Sequence, residues 1–485
     1  MSEPTPQSTP FTLRGHWNLP GSEEKTAGDL IYDVDRLRLV LLGGFNKAIS
    51  EHPLSARPGQ TDFPVIHGTL VDKTLVTIFR CFYTSYSPDL DWKNFTYPKE
   101  VQISQSELNC EIAILGKHLE TEDDAFVSAR LEFPQLEDWL GGSPFEVKIE
   151  ENRNVDIKFR PPNDECFTTR DFNLSLRHSV RPPSLPYGNR PSAEHTSFLE
   201  INPFKSETIK WFVSVNRELT GLFSHLYGGN ILSEQFLLRQ RVSDDYLAVY
   251  YARHRTEFKS IERFNLWTTY EKVKSDFSSL LNEWLLANAS YKQARSMLLS
   301  SERRPSAFIE LRFLPLVHAL EVITQANAST TIVSKEEYSR IKSLVEKAIP
   351  TGTHPDLILA FKRSLGHANG KSLKFKIKQL IETISPKIIA LLCNDVEKFT
   401  KGIVDTRNFY THYSNQKVIL DHRELHWATR KLSVLLRVLS LRSAGMDEDL
   451  IMHVLERNPE IVNERRTWQR ISENGTGEGI IRSDD

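Results

Sequence analysis

The 485-residue chain lacks an excess of charge of either sign: 61 basic residues meet 63 acidic ones, a net charge of −2. That balance excludes a global attraction to nucleic acid, so any RNA contact must be local or must arise on assembly. Cysteine is scarce. Cys81, Cys110, Cys166 and Cys393 are scattered without paired spacing, which argues against a zinc site or a disulfide framework. No apolar run reaches the length of a membrane span. The polar opening MSEPTPQSTP has no charged-then-apolar signal region, so a reducing cytoplasm is expected. What remains is ordinary: 39% hydrophobic residues, enough for two or three domains.

The first half reads as β-rich. Short alternating or apolar runs, among them FTLRGHWNLP, DRLRLVLLGGF, FPVIHGTLVDKTLVTIFRCFY and NVDIKFRP, are punctuated by Gly, Pro and Asp. Their lengths predict an antiparallel sandwich or barrel. Asp72-Lys73 reads as a hairpin turn without its usual glycine, and FPQLEDWLGG as a short helix stopped by Gly141-Gly142. The Pro-rich stretch from Arg181 to His195 reads as a surface loop. His16, His67 and His118 lie in or beside strand runs without ligand spacing, which suits packing better than a shared metal.

From about Ser206 the period changes to three and four. SETIKWFVSVNRELTGLFSHLYG puts Ile209, Phe212, Val213, Leu219 and Leu222 on one side before Gly228-Gly229, and YLAVYYARHR returns to strand-like text. In SAFIELRFLPLVHALEVITQAN, Pro315 is expected to kink or break a helix. SKEEYSRIKSLVEKAI opens on a capping-box-like Ser334 and Glu337. Five or six such segments make a helical bundle. The expected fold is α+β: a disordered leader (1–10), a β-rich domain (11–204), a helical and mixed connecting region of the N-terminal half (205–300), an all-α bundle (301–458) and a disordered tail (459–485).

One stretch in the bundle stands out. The run PKIIALLCNDVEKFTKGIVDT reads as a single amphipathic helix, with Ile388, Leu392, Val396, Phe399 and Ile403 on its stripe. The next stripe position is Arg407. A guanidinium on a core-facing line needs a reason, because burying an unpaired charge is costly. Either a carboxylate such as Glu321, Asp395 or Asp405 satisfies it, or the stripe opens there into a cleft or partner surface. His412 follows five residues later, about 140° round an ideal helix, so a shared site requires a helix end, a kink or a second protomer. Arg190 to His195 and Arg312 to His318 have comparable spacing. The stretch at Arg407 differs in carrying a polar second residue, Asn408, late in a helical region.

RNFYTH resembles the motif of HEPN ribonucleases: an Arg, four to six residues and a His, with Asn, Asp or His after the Arg. With LRGHWNLP and GTLVDKTLVTIF in the first half and ELRFLPLVHALEVI before the motif, the chain resembles the ApeA-type proteins of bacterial anti-phage systems. The resemblance runs from about Phe11 to about Leu441, as an ApeA-like N-terminal domain joined to an ApeA-like HEPN domain.

The resemblance implies a metal-independent endoribonuclease acting in abortive infection, with the N-terminal domain as sensor or regulator. Attack of the ribose 2′-hydroxyl on the adjacent phosphorus would leave 2′,3′-cyclic phosphate and 5′-hydroxyl ends. Arg407 then grips phosphate, His412 moves the proton, and Asn408 bonds the phosphate or orients His412. Glu321 and Lys401 are supporting residues. No cofactor or metal is implied. The implied partners are RNA (host tRNA or another structured RNA), a second copy through the HEPN domain and a phage-derived activator, with no membrane, in a bacterial cytoplasm. The alternative is a non-catalytic HEPN dimerisation scaffold that binds RNA or protein.

Overall fold

The computed structural model describes residues 4–45, 62–88, 103–142, 144–149, 155–160, 162–184, 192–253, 261–303, 306–326, 331–412 and 419–474. The chain divides into two compact units, one ending at Asn282 and the next beginning at Glu283.

In the first unit, β1 (Phe11–Asn18), β2 (Thr26–Tyr32), β3 (Leu37–Leu41), β4 (Asp62–Leu70), β5 (Leu75–Pro88) and β6 (Ile103–Asn109) close an antiparallel barrel. Its order is β1-β2-β3-β6-β5-β4 and back to β1. The alternation dictates this. Leu30, Tyr32, Leu37, Leu39 and Leu41 recur at every second position and are fully buried. Trp17 joins them; its indole N–H donates to the Gly28 carbonyl at 3.1 Å. Its ring also lies 2.2 Å from where a Cβ on residue 68 would stand, so that close approach requires Gly68. In the β4–β5 turn Lys73 takes the left-handed role itself, at φ 71°, while the Asp72 carboxylate accepts the Thr74 amide at 2.9 Å.

Halfway along, β5 changes partners. Val76–Phe79 pair with β7 (Ile112–Leu115), whereas Phe82–Pro88 pair with β6. Arg80 stands between them in left-handed backbone, φ 54°, its guanidinium on Glu111 at 3.1 Å and Glu122 at 2.9 Å. From β7 the sheet continues through β17 (Leu247–Tyr251), β16 (Gln235–Arg239), β9 (Ser128–Glu132), β14 (Ser192–Pro203), β13 (Phe172–Ser184) and β12 (Glu165–Thr168). Two smaller pairs complete the strands: β10 (Phe145–Ile149) with β11 (Val155–Phe159), and β8 (Ala125–Phe126) with β15 (Glu207–Thr208).

Several expectations change here. β13 and β14 pair as far as Ser184 and Ser192, so strands reach into the stretch read as a loop; Arg190 lies outside the described residues. The helix α1 (Leu136–Leu140) does stop at Gly141 and Gly142, both with positive φ. Helix α2 (Ile209–Tyr227) leaves Lys210, Ser214 and Arg217 exposed along one line of its first half, and from Leu219 to Tyr227 it is buried all round. Its polar Asn216 is satisfied by Ser233 and Tyr251 at 3.2 and 3.1 Å. With β16 and β17 it belongs to the first unit, as expected for the N-terminal half, but that unit ends at Asn282 and not at residue 300. Within the expected leader, Gln7 is buried and its amide donates to the Glu234 carbonyl at 2.7 Å.

After α3 (Tyr270–Val273) and α4 (Phe277–Leu286), the second unit is helical: α5 (Ala289–Glu302), α6 (Ile309–Ala326), α7 (Lys335–Lys347), α8 (Pro355–His367), α9 (Leu373–Glu382), α10 (Pro386–Leu392), α11 (Val396–His412), α12 (His422–Ser443), α13 (Glu448–Arg457) and α14 (Pro459–Asn474). Phe313, Leu316, Val317, Leu320 and Ile323 of α6 are fully buried against its neighbours. α6 runs unbroken through Pro315. The missing Pro315 N–H frees the Leu311 carbonyl, and one residue on the Ser301 hydroxyl donates to the Arg312 carbonyl at 2.9 Å.

The single helix expected from Pro386 to the motif is two. Cys393 is extended (φ −151°), and the Asp395 carboxylate caps the new helix by accepting the Lys398 amide at 2.9 Å. Residues 459–474, expected to be disordered, form α14, whose Ile461 and Trp468 are buried. Among the described residues no helix is long and apolar enough to cross a membrane.

Candidate active site

α11 carries the motif. Its inner side is small and hydroxylic: Thr400, Gly402, Ile403, Val404 and Thr406 are buried. The Thr406 hydroxyl accepts the Leu420 amide at 3.0 Å, so the chain entering α12 is fastened one residue before Arg407. Leu420 also packs over Gly402, 3.2 Å from where a Cβ would stand. The turn that follows is helical to His412, and the Thr411 hydroxyl donates to the Arg407 carbonyl at 2.8 Å.

Arg407 sits where the stripe opens, its side chain 24% exposed. Nη2 donates to Glu321 Oε2 at 3.2 Å, and Nη1 donates to Asn408 Oδ1 at 3.0 Å. Of the three carboxylates considered from sequence, the one facing it is Glu321, on α6. The same Glu321 oxygen lies 3.5 Å from His318 Nδ1, with His318 half exposed. Two potential cations therefore converge on one carboxylate, and Arg407 does not monopolise it.

His412 is exposed in the last turn of α11. It does not share the Arg407 face. It shares a face with Asn408, one turn earlier, and with Lys401, which lies on the same line and is exposed. Asn408 thus connects the two: its amide oxygen receives Arg407, and its position aligns with His412. Behind them Phe409 and Tyr410 meet edge to face at 5.3 Å. Burial, and then the charge of Glu310, raise the Tyr410 phenol above its ordinary range, which suits a structural rather than an acidic role. Arg312 and His318, the other spacing match in this unit, lie about 120° apart on α6 and form no pair.

Elsewhere among the described residues, histidines pair with one another and with the backbone. His67 and His118 stack at 4.4 Å and each holds a backbone carbonyl, Leu119 at 2.9 Å and Gly68 at 2.8 Å. The third histidine considered, His16, is exposed on β1. A histidine pair that sequence reading missed lies on β13 and β14: His195 Nε2 is 3.3 Å from His178 Nδ1, and His195 Nδ1 is 3.5 Å from Glu137. Burial, then His195, lower the His178 pKa. The signal was the hairpin register, which sets Val180 opposite His195 and makes His178 its diagonal neighbour. Among the described residues no group of three or more His, Cys, Asp or Glu could hold a metal ion.

Comparison with protein families gives two matches. The family model for ApeA N-terminal domain 1 matches residues 12–284. The chain belongs to the ApeA family. The model for Apea-like HEPN matches residues 314–450, which take in Glu321 on α6 and the whole of α11 with Arg407, Asn408 and His412. The boundary between the two ApeA matches falls beside the division at Asn282, so β16, β17 and α2 lie within the N-terminal domain. No curated protein and no solved structure matches the chain.

Proposed function

We propose that the helical domain of this ApeA-type chain is a metal-independent endoribonuclease of phage defence, with Arg407, Asn408 and His412 carrying the chemistry. The barrel domain would sense infection or restrain the nuclease. The observation that carries the reading is the half-open Arg407, held by Glu321 and Asn408 inside the HEPN match.

In this mechanism a 2′-hydroxyl gives its proton to a neutral imidazole as its oxygen attacks phosphorus. The P–O5′ bond breaks, and the departing 5′ oxygen takes a proton from an imidazolium. The products are a 2′,3′-cyclic phosphate and a 5′-hydroxyl. Charge that develops on the non-bridging oxygens meets the permanently charged fork of Arg407. Glu321 keeps that fork aimed, and Lys401, on the His412 face, offers a further phosphate contact. One turnover needs two proton-transferring groups, and each α11 supplies one histidine. The reading therefore pairs two copies around host tRNA or another structured RNA, under a phage-derived activator, in the bacterial cytoplasm.

A second reading is favoured by the same ion pair. Arg407 finds Glu321 inside one chain, as a structural arginine in a binding scaffold would. Sequencing RNA ends from phage-infected cells separates the two. Cells with the unaltered chain should gain 5′-hydroxyl and cyclic-phosphate ends. His412→Ala should lack them, and Arg407→Ala should reduce them by about 10²–10³-fold. Identical ends in all samples, with the proteins folded and present, would leave the scaffold.

A further inference from the structure

Three arginines among the described residues are more than nine-tenths buried: Arg253, Arg295 and Arg437. Two of them are answered. Arg437 reaches both oxygens of Glu302. Arg295 lies over the Trp284 ring at 3.6 Å and donates to the Trp284 carbonyl at 2.9 Å and the Ser443 hydroxyl at 3.0 Å. Arg253 is different. Its Nη1 donates to the Ser233 carbonyl at 2.7 Å, while Nε and Nη2 are both buried without an acceptor. Taking a charge out of water is costly unless a partner compensates it.

The two unanswered nitrogens form one edge of the guanidinium, the edge whose parallel N–H groups grip an oxyanion side-on. The carboxylates at this end of the barrel are engaged elsewhere or face water. Glu234 accepts the Ser8 amide and hydroxyl at 3.2 and 2.6 Å, Asp33 takes Arg38 at 2.8 Å, and Asp35 is exposed.

The surroundings of Arg253 are strained and phenolic. Its amide donates to the Val34 carbonyl at 2.7 Å, and Val34 holds φ 70°, a left-handed backbone that a β-branched residue adopts only where its surroundings impose it. Burial raises the Tyr32 phenol above its ordinary pKa, and the Arg253 charge beside it pulls the other way. The Tyr32 hydroxyl donates to the Gln7 carbonyl and the Tyr250 hydroxyl to the Thr5 carbonyl, both at 2.8 Å. Residues 5–8, in no strand or helix, thus cross this end of the barrel. Gln7 Oε1, on that segment, is itself buried without a donor.

We propose that Arg253 anchors a binding site for the carboxylate of a small organic acid, at the barrel end that residues 5–8 close. One positive charge and two parallel donors match a carboxylate. A phosphate dianion would bring a second charge and further oxygens that this edge does not meet. Gln7 Oε1 offers an acceptor to a hydroxyl or amino group of the same molecule. All of these residues lie in the first unit, and the inference stands whether or not the helical domain cuts RNA.

Hydrogen–deuterium exchange of the full chain tests it, with acetate as the probe. The Gln7 and Arg253 amides, bonded to the Glu234 and Val34 carbonyls, report on this end of the barrel. Acetate in about tenfold excess over its dissociation constant should slow their exchange about tenfold. Phosphate at equal ionic strength should not, and the amides of α12 should be unchanged. Arg253→Lys keeps the charge and loses the paired edge, so it should fold and lose the slowing. The proposal is overturned by an unaltered chain that shows no slowing up to about 0.1 M acetate, a range that covers the weak binding of so small a ligand. Equal slowing by phosphate, or slowing that persists in Arg253→Lys, overturns it too. Should that variant fail to fold, acetate against phosphate on the unaltered chain still decides.

Discussion

Two of the arginine–glutamate pairs in the helical domain differ sharply in burial. Arg437 of α12 is 3% exposed, and its Nη2 reaches both oxygens of Glu302 at 2.8 and 2.7 Å. Arg407 of α11 is 24% exposed and touches one oxygen of Glu321 at 3.2 Å, sharing that carboxylate with His318. The residue types are the same, and burial separates them. A buried pair is held because breaking it strands a charge in the interior. A half-open pair keeps a guanidinium aimed while part of it still faces water, the condition for receiving an anion.

That contrast can be broken from either side. The largest effect is expected at the closed pair: Arg437→Ala should lose about 3–5 kcal/mol of unfolding free energy, read by denaturant titration, because Glu302, 15% exposed, loses the guanidinium that holds both its oxygens. The open pair should respond in function instead. Glu321→Gln keeps shape and hydrogen bonding but removes the charge, so RNA cleavage should fall about tenfold while stability moves by no more than about 1 kcal/mol. A large stability loss there would make Arg407 a second Arg437.

The smallest effect sharpens the contrast with histidines, His178 held inside the sheet and His412 in the open. The folded-state pKa of His178 is depressed, so the stability it contributes is complete above its unfolded value of about 6.5 and is lost as pH falls. Between pH 7.5 and pH 5 the melting temperature of the unaltered chain should drop, and His178→Gln should flatten part of that drop.

Much of this was legible in the sequence. Period-two text marked β1, β3, β4 and β5 of the barrel but not β2, and the three-four stripe led to Arg407 as a residue needing either a carboxylate or an opening. Ser334 does accept the Glu337 amide, at 3.2 Å. Local rules failed where the deciding partner is distant in the chain. On α2 periodicity reports apolar positions and not how many sides get covered: Lys210, Ser214 and Arg217 stay exposed, but from Leu219 onward the polar Thr220, Ser224 and His225 are buried too. The break at Cys393 was masked by a stripe that continues across it, although Asp395 is an ordinary cap. The complete capping box of Asp421 and Glu424, which starts α12, was written as DHRE and passed over. Glu321 was one of three candidates for Arg407, since its choice depends on how α6 crosses α11, 86 residues away.

Arg80 has a further consequence. It stands at the seam where one strand serves two sheets, in a backbone conformation that glycine adopts more cheaply. The chain keeps an arginine there and ties it to Glu111 and Glu122, on two segments that follow β6. The barrel and the open sheet are thereby one fabric with a charged stitch at the fold. The strand that forms part of the barrel wall is also the first strand of everything beyond.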